Sequence, residues 1–262
     1  METVVIGLRR QTSVIAALIM REIRLRNSRY AFAYLFDLFE LLGMIIVMSS
    51  LRVFVGSSPM LGDSEILFIA SGLIPISLFR TVSTKSAAGV SQSRGGKALP
   101  GVSLLDSAIA KSCVELFNYT VLAILLLTVL WVFDVSMFAV PYDMAPLLEC
   151  WSVLYLFGLG VGLINSVIIP HFPLWNIFWG VLTRGQILLG AVYNVPEYMQ
   201  PYIRNIIVWN PIAHLVALFR TGIFPGYPGH FIDIGYATLC AAVTFVVGLA
   251  VQRTARRRLA SI

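Results

Sequence analysis

Charge is scarce in this sequence. Of 262 residues only 12% are Asp, Glu, Lys or Arg, about half of the roughly 25% usual in soluble domains. A soluble protein of this size could not cover its surface with so few polar groups. The shortage excludes a soluble enzyme, a disordered chain and a nucleic-acid module, and it leaves little room for a separate nucleotide-binding domain. Cysteine is also rare. Cys113, Cys150 and Cys240 lie in or beside apolar runs, which suits packing better than a disulfide framework or a zinc site. Catalytic patterns are missing: there is no HExxH, no GxSxG, and no cluster of His, Cys or paired acids that would build a catalytic or metal centre. The Gly-rich stretch from Ser91 to Ser103 fails as a phosphate loop, because Ala98 follows Lys97 and no strand precedes it. Gly158, Gly160 and Gly162 lack the strand-turn-helix setting of a dinucleotide site. Gly158 and Gly162 instead make a small-xxx-small pair that lets helices approach closely. The apolar run from Val14 to Met20 is short and leads into arginines, so no cleavable leader is expected.

What the chain has is apolar sequence, 58% of it. A membrane span takes about 20 apolar residues, so six spans would use about 120 and leave connections but little else. The net charge of +6 comes from 19 Lys and Arg against 13 Asp and Glu. The basic residues cluster around Arg9 to Arg29, around Arg94, Lys97 and Lys111, and in the tail from Arg253 to Arg258. That alternation of basic clusters with apolar runs is the positive-inside pattern of a multi-pass membrane protein with both termini in the cytoplasm.

The expected fold is all-α. Residues 1–30 hold Val14, Ile15, Leu18, Ile19 and Ile23 at helical spacing among arginines, which reads as an amphipathic interfacial helix or as a simple basic flank. Spans are expected at about 31–51, 66–88, 108–133, 147–169, 174–193 and 231–252, with a basic tail at about 253–262. Asp106 suits an N-cap for the third span. The block at about 194–229 is broken by Pro196, Pro201, Pro211, Pro225 and Pro228, and its apolar pieces, Ile203 to Trp209 and Ile212 to Phe224, suit two short re-entrant helices.

The first span carries Asp37 and Glu40. Two acids at mid-membrane would cost about 5 to 7 kcal/mol, so they sit near headgroups, face water in a conduit, or pair with a base. Arg184, near the centre of the fifth span, needs a partner too, and Asp37 or Glu40 is the natural candidate. Phe32, Tyr34, Phe36 and Phe39 on the first span, and Trp175, Phe178 and Trp179 on the fifth, could offer faces for stacking on sugar rings or serve as interfacial aromatics.

Several segments together carry a family likeness. They are the Arg-rich helix before the first span, the stretch Ala98-Leu99-Pro100-Gly101-Val102-Ser103-Leu104-Leu105-Asp106, and the block Trp209-Asn210-Pro211-Ile212-Ala213-His214-Leu215 followed by Phe219-Arg220 and Pro225-Gly226-Tyr227. With them the chain resembles the type-2 ABC transporter permeases, and among these the capsular-polysaccharide and O-antigen export subunits. The resemblance implies a homodimer of six-span chains in a bacterial inner membrane, above two cytoplasmic ATPase subunits that hold ATP and Mg. It implies no cofactor on this chain and no ATPase site of its own. It also implies a lipid-linked polysaccharide as substrate, and an export partner in the periplasm or outer membrane. The conduit would be lined mainly by the first and fifth spans. The re-entrant pair would form an external gate with Tyr198, Trp209, Asn210, Pro211, His214 and Arg220. Arg21, Arg24, Arg26, Arg94 and Lys97 would lie on the ATPase-docking surfaces. Two rival readings remain: an ion-coupled secondary transporter with Asp37 and Glu40 as proton sites, and a membrane enzyme acting on lipid-linked sugars.

Overall fold

A computed structural model describes residues 2–29, 33–94 and 102–260, with side chains for 11–25, 39–92 and 102–254. Phe32 and Lys97 fall outside these residues, as do the side chains of Tyr34, Phe36, Asp37, Arg26 and Arg94. Among the described residues the regular structure is entirely helical. The order is α1 (Glu2–Arg29), α2 (Ala33–Phe54), α3 (Glu65–Arg94), α4 (Leu104–Val132), α5 (Met144–His171), α6 (Leu174–Leu189), α7 (Pro201–Ile207), α8 (Pro211–Ile223) and α9 (Ile234–Ala260). Short 3₁₀ turns at Met137–Ala139 and Pro196–Tyr198 interrupt the connections.

A helix stands at each expected span. Among the described residues α3, α4, α5 and α9 are long and apolar enough to cross a membrane. The fifth span differs from expectation. It is helical only to Leu189, not to Tyr193, and its 16 residues cover about 24 Å at 1.5 Å per residue, short of a hydrocarbon core of about 30 Å. The helix ends because Ala191 adopts a left-handed φ of 57°. The broken block is as expected: α7 and α8 are two short helices bent by 102°. Asn210 caps α8 by accepting from the Ile212 N–H at 3.2 Å, and Pro211 takes the first helical position.

The start of α4 corrects a detail of the sequence reading. Its N-cap is Ser103, not Asp106. The Ser103 hydroxyl accepts from the Asp106 N–H at 3.1 Å, and the Asp106 carboxylate accepts from the Ser103 N–H at 2.9 Å, a reciprocal capping box. Asp106 lies three residues too far along to cap.

The core forms around α3, which α2, α4, α5, α6 and α8 all touch. Leu67, Phe68, Ile69, Ala70, Leu73, Leu78 and Val82 on α3 are buried. The glycines of α5 permit two close crossings. A Cβ on Gly162 would stand 2.6 Å from the Ser83 carbonyl oxygen of α3, and one on Gly160 would stand 2.6 Å from the Phe245 nitrogen of α9. Alternate glycines thus serve opposite neighbours, so helix backbones meet where side chains would hold them apart.

α2 and α3 form an antiparallel pair. α2 buries a narrow stripe of Leu41, Ile45 and Ser49, at the i, i+4, i+8 spacing of one helix face. An ion pair closes each end of the stripe: Glu40 with Arg80 at 3.0 Å, and Arg52 with Glu65. The opposite face of α2, with Phe39, Ile46, Val47, Val53 and Phe54, is exposed. α1 packs on α4 at the other end of the bundle. There Gln11 donates to Asp106 at 3.3 Å, and Lys111 pairs with Glu22 at 3.1 Å while donating to Gln92 at 2.8 Å.

Candidate functional site

The polar groups of the chain converge where α6 ends and the chain turns toward α7. Five carbonyls at this place each accept from a side chain. Asn210 donates to the Leu189 oxygen at 2.8 Å. Arg220 donates to the oxygens of Ala191 at 2.8 Å, Val192 at 2.5 Å and Asn194 at 3.0 Å. Arg52 donates to the oxygen of Tyr193. The turn left by the broken helix is therefore satisfied by side chains from α2 and α8, the requirement for irregular backbone buried inside a membrane protein.

Arg220 is the centre of this arrangement. It is 0% exposed. Its Nε donates to the Ser71 hydroxyl at 3.2 Å, its Nη2 also reaches the Phe68 carbonyl at 3.2 Å, and its guanidinium lies over the Phe68 ring. A planar fork with five N–H donors suits this crowd of acceptors as no other side chain does. The approach depends on Gly72, where a Cβ would stand 3.0 Å from both Arg220 Nη2 and Val192 Cα.

His214, one turn into α8, is buried for a related reason. Its Nδ1 accepts from the Asp233 N–H at 3.1 Å, which leaves Nε2 to donate to the Val208 carbonyl at 2.9 Å. Its ring stacks on Phe231 at 4.5 Å. It ties the α7–α8 elbow to the start of α9. Trp209 and Tyr198 are exposed instead, and the Trp209 carbonyl accepts from the Tyr236 hydroxyl at 2.8 Å. The expected gate residues thus divide in two. Asn210, Pro211, His214 and Arg220 build the block, while Tyr198 and Trp209 present it.

The expected conduit residues divide as well. Phe39 is exposed on α2 and Phe178 on α6. Trp175 stands 5.2 Å from Phe178, its indole N–H donating to Asn165 Oδ1 at 2.9 Å. Trp179 turns the other way. It packs against Phe79 with centroids 6.5 Å apart and walls a crevice of about 230 Å³ shared with Phe157, Gln186 and Asn210. Arg184 is exposed on α6. Glu40 takes Arg80 as its partner, so the expected bridge from Glu40 to Arg184 is replaced by a tie within the α2–α3 pair. Arg21 and Arg24 are exposed on α1.

A second polar tie joins the loops at the same end of the bundle. Asp63, in the α2–α3 loop, accepts from the Ser136 hydroxyl and from the Met137 N–H at 2.8 Å. Partial burial pushes its carboxyl up, but the bonds from Ser136 and Met137 outweigh this and hold it below the usual carboxylate range.

Sequence reasoning missed the carbonyl ring, and with it Arg52, Glu65, Ser71 and Gly72. The available signal was Arg52 and Glu65 flanking one short loop, an opposite-charge pair at facing helix ends.

No protein-family profile matches the chain. The polysialic acid transport protein KpsM of Escherichia coli is 27% identical over 256 residues, 95% of this chain and 95% of KpsM. The capsule polysaccharide export inner-membrane protein CtrC of Neisseria meningitidis serogroup B is 25% identical over 240 residues, 92% of this chain and 90% of CtrC. The corresponding protein BexB of Haemophilus influenzae is 23% identical over 239 residues, 91% and 89%. The chain is thus similar, over most of its length, to inner-membrane proteins of capsule export, consistent with a type-2 ABC permease.

Proposed function

We propose that this chain is the membrane-spanning permease subunit of an ATP-driven exporter. It carries a lipid-linked polysaccharide, of capsule or O-antigen type, from the cytoplasm to the periplasm across a bacterial inner membrane. Two copies form the conduit. Each rests on a cytoplasmic ATPase that holds ATP and Mg, while the chain itself binds no cofactor. A periplasmic or outer-membrane partner receives the product. Both termini and the α3–α4 connection face the cytoplasm, and the α6–α8 block faces the periplasm.

One observation carries this reading: the pinned α6–α8 block in a chain similar over 95% of its length to a polysialic acid transport protein. The block is a broken helix pair with its backbone satisfied internally, so it can stand at membrane depth and close a pathway without exposing bare carbonyls. Exposed Phe39 and Phe178 on α2 and α6 support a conduit wall between copies, where flat apolar rings can stack on sugars. The contacts of α1 with α4 support a single docking unit for the ATPase.

The test is export itself. In cells with the complete system, deletion of the chain or of the partner ATPase is expected to abolish surface polysaccharide. Export that persists without the ATPase and collapses with an uncoupler would instead identify an ion-coupled carrier. Glu40 offers that carrier little support, since it is 68% exposed and paired with Arg80.

A further inference from the structure

The five-carbonyl turn is held by two arginines of unequal grip. Arg220 and Asn210 both belong to the α7–α8 block and take four of the five carbonyls. Arg220 is also anchored on α3 through Ser71 and Phe68. The end of α6, α8 and α3 are therefore one body. Arg52 comes from α2. Its side chain keeps 15% exposure, and it makes one carbonyl bond to Tyr193 and one ion pair with Glu65. The same tyrosine donates through its hydroxyl to Met48 of α2 at 2.7 Å. Elsewhere α2 meets the body along the stripe of Leu41, Ile45 and Ser49, with half-buried Leu42 and Met44 beside it, and through the Glu40–Arg80 pair.

We infer that Arg52 is a positioning residue that couples α2 to the α6–α8 block, and that this tie opens and closes during each transport cycle while the Arg220 clamp stays shut. The inference rests on the exporter reading and names its moving joint. A conduit wall must shift to admit a polymer, and α2 has an exposed face and a buried stripe closed at both ends by replaceable ion pairs. The joint is suited to reversal. Glu65 remains to hold Arg52 when the Tyr193 carbonyl leaves, so the cation is never stranded in an apolar place. The turn keeps its shape meanwhile, because its other carbonyls belong to Arg220 and Asn210. Movement of α2 thereby reaches the gate through Arg52, with Met48 beside it, as a hinge between two packed bodies.

The experiment uses the full export system in cells and in membrane vesicles. In a Met48→Cys, Tyr193→Cys variant, a short, thiol-cleavable bifunctional reagent is expected to stop the export that variant supports before treatment, and reduction to restore it, while the reagent changes nothing in either single variant. Cross-linked protein that exports as fast as the reduced form would overturn the inference and leave the exporter reading intact. If the unmodified chain supported no export at all, the exporter reading itself would fail. A second measurement is the polysaccharide exported per ATP hydrolysed. Arg52→Gln is expected to lower that ratio about three- to tenfold at unchanged membrane level. The pair Arg52→Glu with Glu65→Arg restores opposite charges but leaves no donor on α2 for the Tyr193 carbonyl, so the ratio should stay low. Full recovery in the swapped pair, or an unchanged ratio in Arg52→Gln, would refute the role given to Arg52.

Discussion

The guanidinium carbon of Arg220 stands 4.1 Å from the centre of the Phe68 ring, so a cation from α8 sits over the first turn of α3. Replacing Arg220 by Ala would strand the carbonyls of Ala191, Val192 and Asn194, at about 1–3 kcal/mol for each unsatisfied group. Arg220→Lys keeps the charge but loses the fork, and should rescue little. Both variants are expected to lower the amount of membrane-inserted protein and the unfolding midpoint of the detergent-purified chain. Full recovery by Lys would show that charge alone matters here.

Glycine-to-alanine changes should act with opposite signs at different positions. Gly162→Ala puts a methyl 2.6 Å from both the Ser83 carbonyl oxygen and Ser86 Cβ, and Gly160→Ala puts one 2.6 Å from the Phe245 nitrogen. Each should destabilise by about 1–3 kcal/mol through overpacking. Gly180 and Gly185 on α6 have nothing within 4 Å of such a methyl, and alanine there should stabilise the helix by about 0.5–1 kcal/mol. Thermal unfolding in detergent compares the four variants directly.

The Asp63 tie should respond to acid. Its carboxyl is held below the usual carboxylate range in the folded chain. A depressed folded value means that the contribution is complete above the unfolded value and fades as pH falls through the folded one. The α2–α3 and α4–α5 loops should therefore open to protease below about pH 4. Asp63→Asn should show that susceptibility already at neutral pH. An identical digestion profile for the variant and the native chain would rule out the tie.

The Glu40–Arg80 pair makes a swap experiment decisive. Glu40→Arg with Arg80→Glu should recover whatever export either single change loses, whereas Glu40→Arg with Arg184→Glu should not. Because Glu40 is largely exposed, its loss should shift stability little, of the order of 1 kcal/mol or less, and the readout is surface polysaccharide. Rescue through Arg184 would place that residue against Glu40 in the working state.

Much of the fold was legible because apolar length and proline placement are local signals. Pro201 and Pro211 open α7 and α8 at their first helical positions, and the apolar pieces between the prolines are too short to cross alone. The close approach of α5 was legible from Gly158 and Gly162, although its division between α3 and α9 was not. The site was less legible. Arg220 binds carbonyls, which every residue carries, so no partner residue type marks the contact in the sequence. Glu40 and Arg80 are forty positions apart, and only the antiparallel setting of α2 on α3 brings them together. Trp175 and Trp179 differ by one helical turn, yet one donates to Asn165 and the other packs on Phe79.

The carbonyl-held turn also bears on how this chain tolerates change over time. Side chains from elsewhere grip the main chain of residues 189, 191, 192, 193 and 194 and ignore what those residues carry. Mutational drift within the turn should therefore be freest at exposed Leu189 and narrowest at Ala191 and Val192, which are buried, with Ala191 also held at a positive φ that favours Gly or Asn. The selective burden falls on distant positions, Arg52, Asn210 and Arg220. In descendants of this sequence the turn can change letters where it meets the outside, while its shape is inherited through residues far from it.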